Sequence, residues 1–313
     1  MNISLTDSLA QLQEHLNTDS AQIRSVLVHH NNELLLEEYY NGFSAQDPQI
    51  LYSCTKSITG LIAGIALEQE GWHLLQMPLC QFFPDFDFGS DERKSKMTLE
   101  HVLTMTSGIK WQEAGRPWAV GNTNYEMEHS ENWLQFVLNL PSTSEGGQRF
   151  SYATGISHLI LAIVERMTQT DPIEFAKKNF FDLLHIEHSW DTDPQGLPQG
   201  GKGLRIRPSD LLKIGLCVQN KGIYEGKQVI PAYWIEQSLQ VRSRGHMYYG
   251  QYGYHWWIKE GGVFAAIGYG GQFLYMVPEL NLTCVFTGYM VGAENFELPQ
   301  QLFREYILKP LQS

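Results

Sequence analysis

Ser53-Cys54-Thr55-Lys56 places a hydroxyl and an amine three residues apart where a helix is expected to begin. Apolar residues follow at Ile58, Leu61, Ile62 and Ile65, the spacing of one buried helical face. At a rise of about 1.5 Å per residue, Lys56 stands roughly one turn above Ser53 on nearly the same side, within reach of its hydroxyl. That is the geometry of a Ser-Lys nucleophile pair. A serine hydroxyl is inert at neutral pH unless a base takes its proton, and a lysine can do so only if burial or a neighbouring charge lowers its pKa. The helix N-terminus also favours the negative charge that develops on attack. Ser-x-x-Lys recurs by chance in many chains, however, and taken alone it is better accounted for by an ordinary helix start with a solvated lysine.

The elements around this pair set its context. A short amphipathic helix is expected at the N-terminus, with Leu5, Leu9, Leu12 and Leu16 on one side. Residues 23 to 29 and 33 to 40 are strand-like runs joined at Asn31-Asn32, a hairpin signal. Helical patterns then dominate, at 57 to 70, 98 to 106, 130 to 139, 155 to 168, 172 to 180, 208 to 220 and 231 to 239. Short aromatic or β-branched runs at 252 to 258, 263 to 268, 272 to 277 and 282 to 288 predict an antiparallel meander, and a last helix at 297 to 308 is stopped by Pro310.

The pattern predicts an α+β fold: one antiparallel sheet assembled from both ends of the chain, flanked by terminal helices and interrupted by a mostly helical insertion, with the site between sheet and insertion. Residues 1–313 are expected to form a single catalytic unit, with an α/β part from 1–73 and 236–313 and a helical part from 74–235. No internal repeat or linker suggests an independent second domain.

Composition narrows the partners. The chain has 313 residues, 43% of them hydrophobic, and 22 basic residues against 34 acidic give a net charge of −12. Nucleic acid and anionic membranes call for a basic surface, so a small molecule is the expected ligand. No run approaches the roughly 20 apolar residues of a membrane span, and the N-terminus lacks a signal-peptide pattern, so a cytoplasmic location is expected, unless an export signal has been removed. The cysteines at 54, 80, 217 and 284 are widely spaced and read as free thiols.

Two further stretches complete a constellation. Arg149-Phe150-Ser151-Tyr152-Ala153-Thr154-Gly155 leads into a helix, and Gly268-Tyr269-Gly270-Gly271-Gln272 lies between two strands. Together with Ser53-x-x-Lys56, in this order, they resemble the three active-site motifs of the serine β-lactamase and penicillin-binding-protein superfamily. The class C branch is the nearest, with its β-lactamase-like esterases, D-amino acid peptidases and 6-aminohexanoate-dimer hydrolases. Supporting stretches are Leu103 to Gly108, Gly203 to Leu211, Ile230 to Trp234 and Tyr252 to Trp257. The resemblance implies a cofactor-free and metal-free serine hydrolase working through an acyl-enzyme. Ser53 would be the nucleophile, Lys56 its proton acceptor or electrostatic partner, and Tyr152 a general base if the lysine ionises it; which of the two is the base stays open. The backbone N–H groups of Ser53 and of Gln272, on an edge strand, would form the oxyanion hole, where one donor is worth about 3 kcal/mol. Thr154, Tyr269, Gly270 and Gly271 would touch substrate.

The chain departs from the family pattern twice. Thr154 stands where an amide is usual, and Tyr269 where a lysine or histidine usually grips a substrate carboxylate. Acylation chemistry is thus kept while carboxylate recognition is weakened, which predicts a small neutral ester or amide as substrate. A β-lactamase or D-amino acid peptidase proper, and a binding module that acylates slowly or not at all, are the alternatives. The oligomeric state is not legible.

Other features are set aside. The stretch Asp191 to Gly196 imitates a calcium loop without its closing glutamate and is expected to border the pocket. His185 and His188 lack a third ligand. Cys54 is expected to pack inward. The sequence lacks a G-x-S-x-G elbow. Trp111, Trp118, Trp190 and Trp257 are candidates for an acyl pocket or for core.

Overall fold

A computed structural model describes residues 3–20, 22–113, 119–289 and 297–312. Helix α1 (Leu5–Thr18) starts where the Ser4 hydroxyl accepts the Asp7 N–H, and it buries Leu9, Leu12 and Leu16. Strands β1 (Ile23–His30) and β2 (Glu33–Tyr39) follow. Asn31 and Asn32 between them both take positive φ, 50° and 66°, as a two-residue hairpin with a matched twist requires. Helix α2 (Cys54–Glu70) comes next and is buried along nearly its whole length.

The meander supplies the rest of the sheet: β3 (Ser243–His246), β4 (Gly250–Tyr252), β5 (Trp257–Lys259), β6 (Val263–Gly268), β7 (Gln272–Val277) and β8 (Leu282–Gly288). The eight strands lie in the order β2-β1-β8-β7-β6-β5-β4-β3. Antiparallel pairing of β1 with β8, Val26 opposite Phe286, joins the two ends of the chain as expected. Every residue of β7 and β8 is buried, because helices cover both faces. On one face Tyr275 stacks on Phe303 of the C-terminal helix at 4.1 Å; on the other lie α2 and a helix of the insertion, Pro208–Gln219. The core of α2 also packs against α3 (Thr154–Thr168), the central helix of the insertion.

Several boundaries differ from the sequence expectation. The run 252 to 258 is two strands, because residues 253 to 256 leave the sheet at His255 (φ 61°), whose buried side chain ties Leu103 O at 2.8 Å and Ser157 Oγ at 2.9 Å. β3 was not foreseen: Ser-Arg-Gly-His has no β-branched or apolar residue, and it forms the sheet's edge. β7 is an interior strand, so Gln272 is not on an edge. The helix expected at 98 to 106 stops after Leu103, where Met105 takes φ 57°. The C-terminal helix passes through a wider turn at Phe303–Leu308 and includes Pro310 in its last segment, Lys309–Leu311, rather than ending before it.

Candidate active site

Three segments converge on the start of α2. A two-stranded contact between Gln49–Ile50 and Leu204–Ile206 brings the chain up to it, and Tyr52, in the left-handed region at φ 45°, turns it into the helix. Ser53 is the N-cap, partly exposed, with its hydroxyl free of any capping bond to its own helix. Cys54 points into the core, where its thiol donates to Gln272 O at 3.4 Å and burial pushes its pKa up; it is a packing residue, as expected.

Lys56 is 1% exposed. Its Nζ lies 3.0 Å from Ser53 Oγ, 3.1 Å from Thr154 Oγ1 and 2.9 Å from Gly201 O. Burial lowers its pKa to about 8, against the opposing pull of Glu113. The amine thus titrates near neutrality beside a serine hydroxyl. Gly201 reaches it because it has no side chain: a Cβ there would lie 2.6 Å from Thr154 Cγ2. The 191 to 203 loop thus reaches the site through Gly201, beyond the Asp191 to Gly196 stretch expected to border it, and within that stretch Asp193 accepts from buried His158 at 3.0 Å and from the N–H groups of Gln195 and Leu197.

Tyr152 enters just before α3. Met105 O accepts the Ser151 N–H at 2.8 Å, so the tight turn in Leu103 to Gly108 holds the tyrosine segment in place. Lys56 Nζ sits 4.8 Å from the Tyr152 ring centroid, and Trp257 stacks on the same ring at 5.7 Å between centroids. Burial drives the phenol pKa well up, Tyr252 and Glu113 add to the rise, and the hydrogen-bonding contact with Ser53 opposes it. The phenol is therefore protonated at neutral pH.

The third segment is the hairpin between β6 and β7. Gly268 pairs with Gln272, and a Cβ on Gly268 would lie 2.2 Å from Leu51 O and 3.2 Å from Cys54 N, so this hairpin abuts the backbone that carries Ser53. Gly270 and Gly271 take φ 77° and 91°, a conformation that excludes ordinary side chains. The Gln272 side chain turns away, donating to Gly288 O at 2.7 Å. Tyr269 is 44% exposed and meets Tyr52 edge-on at 5.6 Å, forming the rim.

The structure brings together Ser53, Lys56, Tyr152, Thr154 and this hairpin. Among the tryptophans, Trp257 and Trp111 border the site, Trp190 is anchored to Gln199 O at 3.0 Å under the 191 to 203 loop, and Trp118 lies outside the described residues. His188 stacks on Phe181 at 3.9 Å and His185 faces Glu225. Glu113 was missed. Its carboxylate accepts from Trp111 Nε1 at 2.6 Å, from the Thr154 N–H at 2.8 Å and from the Thr154 hydroxyl at 3.1 Å. The signal for it was Ala153, an N-cap without a capping side chain, which leaves the first N–H of α3 to find an acceptor elsewhere.

The Beta-lactamase family model matches residues 12–288. The 6-aminohexanoate-dimer hydrolase of Paenarthrobacter ureafaciens is 24% identical over 305 residues, covering 90% of this chain and 76% of that protein. A structure described as a putative 6-aminohexanoate-dimer hydrolase from Bacillus anthracis superposes with a TM-score of 0.80 at 21% identity, over 96% of this chain and 81% of that one. EstCE1, described as a hydrolase with promiscuous acyltransferase activity, gives 0.77 at 13% identity, over 98% and 97%.

Proposed function

The chain belongs to the beta-lactamase family, and from that premise we propose that it is a serine hydrolase that forms an acyl-enzyme on Ser53 with a small neutral ester or amide. The observation that carries this is the buried Lys56 amine, 3.0 Å from Ser53 Oγ, with a pKa lowered to about 8. Neutral Lys56 takes the Ser53 proton as Oγ attacks the substrate carbonyl. Between Lys56 and Tyr152, the lysine is the first acceptor, because the phenol is held protonated by burial. The oxyanion is received by the N–H of Ser53 at the mouth of α2 and by a hairpin N–H, which the family pattern assigns to Gln272.

Collapse of the tetrahedral intermediate breaks the bond to the leaving oxygen or nitrogen. The proton held on Lys56 passes to it through the Tyr152 hydroxyl, which gives one proton and receives another. Water then attacks the acyl carbonyl, its proton goes to the same pair, and Ser53 Oγ leaves reprotonated. No cofactor enters these steps.

Tyr269 supports a neutral acyl group: it supplies a phenol where a cation would hold a carboxylate. The similarity to a 6-aminohexanoate-dimer hydrolase makes amides a second arm of the test. p-Nitrophenyl acetate and butyrate, D-amino acid amides and nitrocefin are offered in turn, and release is followed from the first turnover. A burst followed by steady turnover of the neutral esters supports the proposal. A burst without turnover makes the protein a slowly acylating binding module, and rapid nitrocefin hydrolysis makes it a β-lactamase.

A further inference from the structure

A neutral lysine amine has two hydrogens and one lone pair, and where the lone pair points decides whether it can accept a proton. Around Lys56 Nζ stand three oxygens: Gly201 O at 2.9 Å, Ser53 Oγ at 3.0 Å and Thr154 Oγ1 at 3.1 Å. Gly201 O is a carbonyl and can only accept. The two hydroxyls can each donate or accept. If Thr154 donated to the amine, the lone pair would be spent on it and Ser53 would be left with an amine hydrogen, the wrong polarity for deprotonation.

Glu113 removes that ambiguity. Its Oε1 lies 3.1 Å from Thr154 Oγ1, and its Oε2 takes the Thr154 N–H at 2.8 Å and Trp111 Nε1 at 2.6 Å. A carboxylate only accepts, so the single Thr154 hydroxyl hydrogen is drawn to it and the threonine oxygen presents lone pairs to Lys56. Both amine hydrogens then go to Thr154 and Gly201, and the lone pair is left for Ser53. With those three protein donors already on it, Glu113 is engaged inward. The carboxylate itself is held by the 111 to 113 stretch, where Thr123 N donates to Gln112 O at 2.7 Å and Trp111 packs at the first turn of α3.

We propose that Glu113 is a positioning residue that, through the Thr154 hydroxyl, aims the Lys56 lone pair at Ser53. This rests on the acyl-enzyme mechanism proposed above and gives Thr154 a reason to be a hydroxyl. The charged and titratable groups facing Lys56 are Glu113 from the 111 to 113 stretch, Lys202 from the 191 to 203 loop, Cys54 on its own helix, Tyr152 ahead of α3 and His255 from the bend before β5, the last held neutral by burial with a pKa of about 3. Of these, Glu113 is the carboxylate, so its neutralisation is expected to move the lysine's titration to lower pH.

The test compares Glu113→Gln, Thr154→Val, Thr154→Ser and the Glu113→Gln/Thr154→Val double variant in the full chain, with kcat/KM for p-nitrophenyl butyrate measured from pH 5 to 10 and normalised to the titrated active-site fraction. Thr154→Ser is expected to stay within a few-fold of wild type. Thr154→Val and Glu113→Gln should each lose on the order of 10-fold or more in kcat, the double variant should be no worse than the poorer single one, and Glu113→Gln should shift the acidic limb downward in pH. Additive losses in the double variant, or a Glu113→Gln enzyme with wild-type rate and pH profile, would overturn the proposal. Ser53→Ala run alongside separates the two levels: turnover surviving there sinks the acyl-enzyme mechanism, whereas its loss there with wild-type behaviour in the other variants sinks only the role of Glu113.

Discussion

Lys56 and Thr154 on the floor of the site are 1% and 7% exposed, whereas Tyr269 at its rim is 44% exposed. On the floor, each polar atom is held by partners from a different part of the chain: the start of α2, the 111 to 113 stretch, the start of α3 and the 191 to 203 loop. At the rim, the contacts are ring against ring, Tyr269 edge-on to Tyr52 at 5.6 Å. A group enclosed this way cannot be changed without leaving an unpaired buried atom, which costs about 1–3 kcal/mol. A rim residue can be exchanged at little cost to folding. The floor therefore governs whether the protein reacts, and the rim which substrate it prefers.

Floor substitutions should carry the largest effects. Lys56→Ala and Tyr152→Phe are each expected to lower kcat per folded molecule by a factor on the order of 100 or more, over and above the drop in melting temperature that an unpaired buried atom brings, since both groups move protons. Activity that falls only in proportion to folded protein would make these residues structural and erase the distinction between floor and rim.

The pH profile sharpens the same comparison. With a Lys56 pKa of about 8 and the neutral amine as base, the reactive fraction is about 1% at pH 6 and half at pH 8. kcat/KM for a neutral ester should therefore rise with pH and level off above that value. A rate already flat from pH 6 would show that the protonated lysine is the working form and that Tyr152 takes the serine proton.

The rim should give the smallest effect. Tyr269→Lys is expected to raise the ratio of kcat/KM for nitrocefin to that for p-nitrophenyl butyrate by about fivefold, or ~1 kcal/mol, the scale of a partly exposed charge-assisted hydrogen bond. If that substitution instead abolishes turnover of both substrates, Tyr269 belongs with the floor.

What the sequence disclosed follows the same division. Ser53, Lys56 and the β1–β2 hairpin were legible because each depends on local geometry: a helical turn in the first case, positive φ at Asn31 and Asn32 in the second. The sheet assembled from both chain ends was legible from the order of the periodic runs. Glu113 was not, since it caps α3 from 41 residues away, and Gly201 contributes a carbonyl that any residue type possesses. The break at 253 to 256 was hidden because Tyr254, His255 and Trp256 read as a strand, while their burial comes from pinning α2 and α3.

The most direct measurement is covalent labelling with a fluorophosphonate, read by intact mass and peptide mapping, in wild type, Ser53→Ala and Cys54→Ala. An activated hydroxyl is required for attack on phosphorus at neutral pH. One adduct on Ser53, retained in Cys54→Ala and absent from Ser53→Ala, is the predicted result. An adduct that persists in Ser53→Ala, or that maps to Cys54, would contradict the assignment of Ser53 as the nucleophile.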